Sequence, residues 1–268
     1  MEHYYSLKIS TRVSLVVCTV DDYTAGLRSG GNISVLLKEY PRKKPVRKPG
    51  GYYVFTDLPG DSYSVLVRSD VYLEEELFIK PGEIDPNNPR AYIILKPCSH
   101  YPFPEGATLI RASLRDADGR VPRDAVVKAS MLSENCARAR LSGEKAGKGE
   151  EAIFLTNIAG GMSAGDFYLL KDKADGRQEY CRIAALEADT RRCRLYEPLR
   201  FSYSRGALLL PVFETRPDER GEVVICFREP CPDNFKVKLQ FNHGKNLFEK
   251  ELDIEGGKTT VLGFINLG

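Results

Sequence analysis

The sequence is poor in histidine, the side chain that most often acts as an acid or a base near neutral pH. Its three histidines are His3, His100 and His243, which fall at the terminus, in a proline-rich linker and in a hairpin turn. Walker, Rossmann and Gly-x-Ser-x-Gly patterns are also missing from the sequence. We therefore expect no catalytic residues and predict that the protein is not an enzyme. A hydrolase that uses His100 with Cys98 or a carboxylate is the least favoured hypothesis.

The sequence also lacks an excess of charge of either sign. Its 39 Lys and Arg residues against 37 Asp and Glu residues give a formal net charge of +2. A protein whose main role is to hold phosphate backbones carries a larger positive charge than this. We therefore expect no nucleic-acid partner.

Long hydrophobic runs are missing near the N-terminus. The apolar stretch there covers only Val13–Val20, is followed by Asp21 and Asp22, and has neither a basic leader nor a small-residue cleavage site. We interpret this stretch as a strand. The expectation is cytoplasmic synthesis without a signal peptide, and no membrane insertion.

Cysteine does not occur at the spacing of a metal site. The seven cysteines are an odd number, mostly lie inside apolar runs and show no repeated CxxC pattern. This predicts free, mostly buried thiols in a reducing compartment, with no metal and no cofactor. The segment Asp116-Ala-Asp-Gly119 has the spacing of part of a calcium loop, but without the remaining ligands we interpret it as a turn. The cysteines are Cys18, Cys98, Cys136, Cys181, Cys193, Cys226 and Cys231.

What the sequence does contain is a succession of short runs rich in β-branched and aromatic residues, separated by Gly, Pro and Asp. With 42% hydrophobic and 28% charged residues the chain is typical of a globular protein, and 268 residues exceed what one core usually serves. Residues 1–97 are therefore predicted to form a first β-sandwich domain. Its predicted strands are Tyr4–Ile9, Ser14–Val20, Ile33–Glu39, Tyr52–Phe55, Tyr63–Val67, Leu77–Ile79 and Ala91–Leu95.

A glycine-led strand followed by a proline corner lies near the middle of this domain. The residues concerned are Gly51, Phe55, Leu58, Pro59, Gly60 and Tyr63. They resemble the centre of a carboxypeptidase-regulatory-like, transthyretin-like domain, and the related collagen-adhesin B-type repeats share the pattern. The resemblance implies an immunoglobulin-like β-sandwich. It does not extend to the internal Lys to Asn/Asp crosslink of some relatives, because Ala91–Leu95 contains neither Asn nor Asp and Thr108–Leu114 contains no Lys.

The chain then begins the same plan again. Thr108–Ala129 repeats the order strand, Asp/Gly turn, strand, but the matching glycine-led segment, Asp218–Phe227, comes about ninety residues later. A loop of that length needs structure of its own. We therefore predict a discontinuous second sandwich, residues 104–134 plus 213–268, interrupted by an inserted domain of residues 135–212.

The insert is predicted to be a small β-barrel. Segments at Met162–Leu170, Glu179–Ile183, Leu195–Leu199 and Ser204–Pro211 resemble small barrel modules of phage tail and tail-like particle proteins. A hairpin turn is expected at Asp189–Arg192. The predicted strands are Ile153–Ile158, Asp166–Lys171, Gln178–Leu186, Arg192–Tyr196 and Ala207–Phe213.

One charged segment is a candidate binding site. Five basic residues crowd into the proline-stiffened loop 42–48, between tyrosines. Such a loop can bind an anionic partner surface, although a solvated hairpin loop has the same composition. The candidate binding residues are Tyr40, Arg42, Lys43, Lys44, Arg47, Lys48 and Tyr52.

Together these features favour a non-catalytic structural or adaptor protein. The barrel resemblance implies a component of a phage-like tail or contractile injection particle, with protein subunits of a larger assembly as partners. The alternative is a carbohydrate- or cell-surface-binding module, which the adhesin resemblance and the fourteen tyrosines favour.

Overall fold

Strands dominate the structure, a computed structural model that describes residues 11–27, 32–60, 62–143, 145–187, 189–228 and 230–268. The chain divides into two compact units, Met1–Pro102 (unit 1) and Phe103–Gly268 (unit 2). In the described ranges the only helices are two 3₁₀ turns, Pro81–Glu83 and Glu134–Cys136. The predicted all-β fold class is confirmed. The predicted strand Tyr4–Ile9 lies outside the described residues.

None of the helices in these ranges has the length and apolar character needed to cross a membrane.

Unit 1 contains seven described strands in two sheets. They are β1 (Val13–Asp21), β2 (Ser34–Leu37), β3 (Val46–Lys48), β4 (Tyr52–Thr56), β5 (Tyr63–Arg68), β6 (Glu75–Ile79) and β7 (Arg90–Leu95). One sheet has the order β3-β4-β1-β7 and the other the order β2-β5-β6. Within the first sheet, β1 pairs antiparallel with β4 and parallel with β7.

Burial along these strands follows the period of two that places alternate side chains on opposite faces of a sheet. Leu15 and Val17 of β1 and Phe55 of β4 are buried, as are Val65 and Val67 of β5 in the other sheet. The apolar side chains of both sheets thus form the interior of a β-sandwich. Burying a side chain of this kind contributes about 1.5–3 kcal/mol to folding.

Unit 2 contains the remaining strands. They are β8 (Leu109–Arg115), β9 (Val126–Met131), β10 (Ala139–Leu141), β11 (Lys145–Ala146), β12 (Ala152–Thr156), β13 (Phe167–Lys171), β14 (Gln178–Glu187), β15 (Arg192–Leu195), β16 (Tyr203–Ser204), β17 (Leu208–Thr215), β18 (Glu222–Cys226), β19 (Asn234–His243), β20 (Asn246–Glu255) and β21 (Thr259–Asn266). The largest sheet has nine strands, and β18-β8-β21 form a separate three-stranded sheet.

Six strands of the large sheet close into a ring. In the order β10-β12-β15-β14-β13-β17 each pairs with the next, and β17 pairs back with β10. This small barrel has its own apolar core, which includes Ile153, Leu170 and Ile183. Strands β9, β19 and β20 continue the sheet beyond β17, and their inward side chains share a second core with β8, β18 and β21.

The two sandwiches repeat one strand plan. In unit 1, β1 lies between antiparallel β4 and parallel β7; in unit 2, β8 lies between antiparallel β18 and parallel β21. The backbone N–H of Thr19 donates to the carbonyl of Gly51 at 3.0 Å, and the N–H of Leu114 donates to the carbonyl of Gly221 at 2.7 Å. These two hydrogen bonds make Thr19 of β1 equivalent to Leu114 of β8, which aligns the two strands residue by residue. The exact boundaries of the three predicted domains stay a prediction.

The two-residue strands β11 and β16 were not predicted, and two three-residue strands also differ from the sequence predictions. Strand β3 lies in a segment expected to be a loop, so Arg47 and Lys48 are strand residues. Strand β10, which completes the barrel, was not predicted at all. Each has three residues, which is too short to show an alternating pattern. Strand β3 forms a hairpin with the next strand, β4, whereas β10 pairs with the distant β17.

Candidate binding face of unit 1

The sheet β3-β4-β1-β7 of unit 1 presents a largely apolar surface on the side away from the core. Residues paired across neighbouring strands share a face, so the register identifies this side. A sheet with one solvated face normally carries polar residues there. We call the following set the outer face: Val16, Cys18, Val20, Val46, Lys48, Tyr52, Val54, Arg90, Tyr92 and Ile94.

The central row of the outer face is aromatic. Tyr52 and Tyr92 lie directly opposite Cys18 on its two neighbouring strands. Tyr92 is 57% exposed, whereas Cys18 has no exposed surface. Burial raises the pKa of the Cys18 thiol, and the charge of Arg90 offsets this only in part. The thiol is therefore neutral near pH 7 and adds to the apolar character of the row.

The charged residues of the outer face are both cations. Arg90 places its guanidinium 6.0 Å from the centre of the Tyr52 ring. Lys48 lies opposite Tyr52 on the edge strand β3 and is exposed. Since none of the ten residues of this set is acidic, the outer face combines aromatic and aliphatic area with positive charge.

The structure divides the predicted binding residues between different surfaces. Lys48 and Tyr52 belong to the outer face. Arg47 points to the opposite side of the sheet, where its guanidinium lies 6.0 Å from the centre of the Tyr53 ring. Burial raises the pKa of the Tyr53 hydroxyl, and the charge of Arg47 acts in the other direction.

The remaining cations lie before β3. The Nζ of Lys43 donates a hydrogen bond of 3.3 Å to the carbonyl oxygen of Asp57, which fixes the segment to the turn after β4. Arg42 and Lys44 are exposed, and neither forms an ion pair with another residue in the described ranges. These two side chains leave their charge available to a partner.

Tyr40 packs at the end of the sandwich. Its ring meets the ring of Tyr63 edge-on at 6.2 Å. Its hydroxyl lies so close to Gly60 that a Cβ there would be 2.9 Å from it. Tyr40 therefore has a packing role in the corner that precedes β5, apart from the outer face.

Sequence reasoning missed most of the outer face, namely the residues of β1 and β7. In Ala91-Tyr92-Ile93-Ile94-Leu95 every residue is apolar, so the sequence contains no alternation that separates the exposed positions from the buried ones. The partners of Tyr92 are also distant, since Cys18 and Tyr52 lie far earlier in the chain. Only the register brings them into one row.

The residues considered as catalytic or metal-ligating candidates have local contacts in the described ranges. No group of three or more His, Cys, Asp or Glu residues there could hold a metal ion. Cys98 Sγ contacts the carbonyl oxygen of Asp70 at 3.7 Å, and Nδ1 of His100 lies 3.3 Å from Oγ of Ser99. The carboxylate of Asp116 accepts two backbone N–H groups within its own turn.

A cavity of about 290 Å³ opens at one end of unit 1. Its lining includes Leu15, Tyr63 and Ile79, with Arg12 and Asp57 as the charged residues. The carboxylate of Asp57 accepts a hydrogen bond of 2.9 Å from the backbone N–H of Arg12. Asp57 thus serves the turn after β4.

Comparisons with known proteins give only distant structural similarity. No protein-family model and no curated protein matches this sequence. Solved structures that resemble the chain include a streptococcal ancillary pilin, with 10% identity over 96% of this chain and 69% of that one and a TM-score of 0.24. The major pilin subunit of Bacillus cereus shows 11% identity over 94% and 70%, with a TM-score of 0.24. A shaft pilin from Lactobacillus rhamnosus GG shows 8% over 95% and 98%, with a TM-score of 0.23.

Similarity at this level carries no argument about function. What the chain's own strands and pairings establish is an all-β protein with two units, the second of which contains a closed barrel of strands beside its sandwich.

Proposed function

We propose that this chain is a non-catalytic structural or adaptor protein that binds another protein through the outer face of unit 1. The observation that carries the proposal is the row Lys48–Tyr52–Cys18–Tyr92, in which two tyrosines flank Cys18 and a lysine lies at one edge. Contiguous apolar surface with a polar rim is typical of protein–protein interfaces, and aromatic residues and Arg dominate their binding energy.

The charge of the outer face defines the chemistry of the partner. Arg90 and Lys48 are its charged residues, so a second copy docked on the same face would bring like charges together. A partner with an apolar patch rimmed by Asp or Glu would instead pair with them. Arg42 and Lys44, close by in the sequence, add further positive charge for the encounter.

We further propose that this partner belongs to a larger assembly. Support for a phage-like tail or contractile injection particle comes from the sequence resemblance of segments in residues 162–211. The second candidate, a carbohydrate- or cell-surface-binding module, is favoured by the two tyrosine rings in one row, because flat aromatic rings also make sugar-binding platforms.

The proposed interface is tested by site-specific photocrosslinking in the cells that produce the protein. Benzoylphenylalanine replaces Tyr92 on the outer face, and in a matched control it replaces Phe154 of the barrel, whose ring is 50% exposed. We expect a crosslinked protein at position 92 that is not captured at position 154. In the crosslinked peptide, apolar residues should lie beside Asp or Glu.

Charge reversal then tests the proposed chemistry. Arg90→Glu and Lys48→Glu should each lower the crosslinking yield about tenfold, whereas Lys245→Glu, a change at an exposed turn in unit 2, should not. No specific crosslink at position 92, or one that is insensitive to Arg90→Glu, would contradict the proposal. Specific binding to a glycan array that Tyr52→Ala abolishes would favour the second candidate.

A further inference from the structure

Unit 2 repeats one aromatic position of the central row of the outer face. When β1 and β8 are aligned through their glycine-bonded residues, Ser113 corresponds to Cys18. Tyr92 lies opposite Cys18 on the last strand of unit 1, and Phe264 lies opposite Ser113 on the last strand of unit 2. Both sandwiches therefore present an aromatic ring at the same place.

A β-bulge exposes the ring of Phe264. Residues three apart in a regular strand point to opposite faces, but Val261 and Phe264 both lie opposite residues on the outward side of β8. The register shifts between them, where Gly263 has a φ of +69° that favours glycine. The shift directs Ile265 into the core and leaves Phe264 80% exposed and Val261 71% exposed. Bulges that redirect side chains are common at functional edges of sheets.

The exposed ring lies beside a fixed cation. The guanidinium of Arg115 is 5.9 Å from the centre of the Phe264 ring, and its NH1 donates to the carbonyl oxygens of Leu114 at 2.7 Å and Arg220 at 3.0 Å. Arg111 lies opposite Val261. The carboxylate on this side of the sheet belongs to Glu222, which lies opposite Ser113 on the other neighbouring strand, β18.

Beside β21 the surface resembles the outer face of unit 1, because it combines exposed apolar area with arginine. It is narrower, since Val224 of β18 is buried, and it differs on β18, where Glu222 takes the place of Tyr52. A partner with an apolar patch rimmed by Asp or Glu fits both surfaces. Like charge at Arg111 and Arg115 again disfavours a second copy of this chain as the occupant.

We infer that the chain is bivalent: Phe264, Val261 and Arg115 form a second docking surface that binds another copy of the same acidic-rimmed partner as the outer face of unit 1. This rests on the proposed function. A protein with two equivalent surfaces joins partners that display one repeated surface, and linking two such contacts strengthens the whole assembly.

Crosslinking from unit 2 tests the inference. Benzoylphenylalanine replaces Phe264 and, in a second variant, Val261; replacement of Leu247, an exposed residue on β20, is the control. We expect both test positions, but not 247, to capture the protein that is captured from position 92. Purified chain mixed with that protein should sediment as a complex with two partner copies per chain. Phe264→Asp should reduce this to one, with at least about tenfold weaker binding at the second site.

The outcomes separate this inference from the proposed function. Capture from position 92 without capture from 261 or 264, or capture of a different protein, overturns bivalency and leaves the proposed function standing. Crosslinks at 264 to another copy of this chain also overturn it. A complex with one partner copy that Phe264→Asp does not change overturns it as well, and the absence of capture at all three positions overturns both.

Discussion

The hydroxyl of Tyr101 donates a hydrogen bond of 2.7 Å to Oδ2 of Asp21, eighty residues earlier in the chain. Tyr72 donates to the same oxygen at 2.7 Å, and Oδ1 accepts the backbone N–H groups of Tyr23 and Thr24. Asp21 has no exposed surface. Four donors thus satisfy a fully buried carboxyl group at the end of β1, which joins three separate segments of unit 1.

Removing one of these donors should destabilise unit 1. Tyr101→Phe leaves the ring in place but deletes a hydrogen bond to a buried carboxyl, and we expect a loss of about 1.5–3 kcal/mol in the free energy of unfolding. Urea unfolding followed by circular dichroism, with hydrogen exchange of unit 1 amides, measures this. Tyr92→Phe, at an exposed ring, should change the free energy by less than about 0.5 kcal/mol. Equal effects of the two substitutions would contradict the role given to Asp21.

Gly221 should not tolerate a side chain. It has a φ of +81°, and a Cβ there would lie 2.7 Å from the carbonyl oxygen of Leu114. Gly119 has a similar φ of +77°, but a Cβ there would meet no other atom within 4 Å, so Gly119→Ala isolates the backbone cost of about 1–2 kcal/mol. Gly221→Ala adds overpacking of about 1–3 kcal/mol. In thermal and urea unfolding, Gly221→Ala should therefore destabilise the protein more than Gly119→Ala. The reverse order would show that the structure around Gly221 shifts to make room for the Cβ.

The barrel should lose stability in alkali because of its buried thiols. Burial raises the pKa of Cys181 to about 12 and that of Cys193 to about 11, while an unfolded thiol ionises near pH 8.5–9. Above that pH the unfolded state has released the proton that the folded state keeps. The free energy of unfolding should then fall by up to about 1.4 kcal/mol per pH unit for each thiol, until the folded pKa is reached.

Urea unfolding at intervals from pH 8 to pH 10 checks this, and Cys193→Val is the matched variant. Cys193→Val should reduce the fall of the free energy of unfolding with pH by the contribution of one thiol, whatever its effect on stability at pH 8. An unchanged slope would mean that the thiol at position 193 ionises equally well in the folded barrel.

A cation–π cluster joins the barrel strands to the rest of the large sheet. The guanidinium of Arg182 lies 4.6 Å from the centre of the Phe167 ring, and Nζ of Lys128, on β9, lies 5.3 Å from the same centre. Glu214 pairs with both cations, at 3.7 Å from Lys128 and 3.8 Å from Arg182. Because the cluster is partly exposed, each contact contributes about 0.5–1 kcal/mol.

A double-mutant cycle measures the contact between Arg182 and Phe167. The variants Arg182→Gln and Phe167→Leu should show a coupling of about 0.5–1 kcal/mol in the free energy of unfolding. Arg194→Gln, at an exposed position on β15, serves as the control partner for Phe167→Leu and should show no coupling beyond about 0.3 kcal/mol. Additive effects of Arg182→Gln and Phe167→Leu would mean that the contact between these two side chains does not stabilise the fold.

Local sequence signals were sufficient where a strand was long or bounded by strong turns. The predicted strands Tyr52–Phe55 and Tyr63–Val67 differ from β4 and β5 by one residue at one end, and the five predicted barrel strands all have counterparts. The glycine-led segments were recognised in both sandwiches. Gly51 and Gly221 have a positive φ, which favours glycine, and a glycine can be identified directly in the sequence. Short β3 and β10 were missed, since three residues show no period.

The candidate site could not be predicted in the same way. The basic segment 42–48 is visible in the sequence, yet its side chains diverge: Lys48 belongs to the outer face, Arg47 points to the opposite side, and Lys43 contacts the turn at Asp57. The aromatic row was invisible because Tyr52, Cys18 and Tyr92 belong to three different strands. Their contact depends on strand order and register, which depend on pairings between distant residues.

Composition, short-range periodicity and turn residues thus determine that this chain forms strands, that it has more than one core, and that a second sandwich repeats the first. These properties depend on neighbours within a few residues, whose backbone preferences and alternation can be read in order along the chain. Which apolar side chains remain outside was decided by pairing, and at Phe264 by a single bulge that moves Ile265 into the core in its place. Long-range pairing selects one register among several that satisfy the same local pattern, and that choice places Tyr92 and Phe264 at equivalent exposed positions.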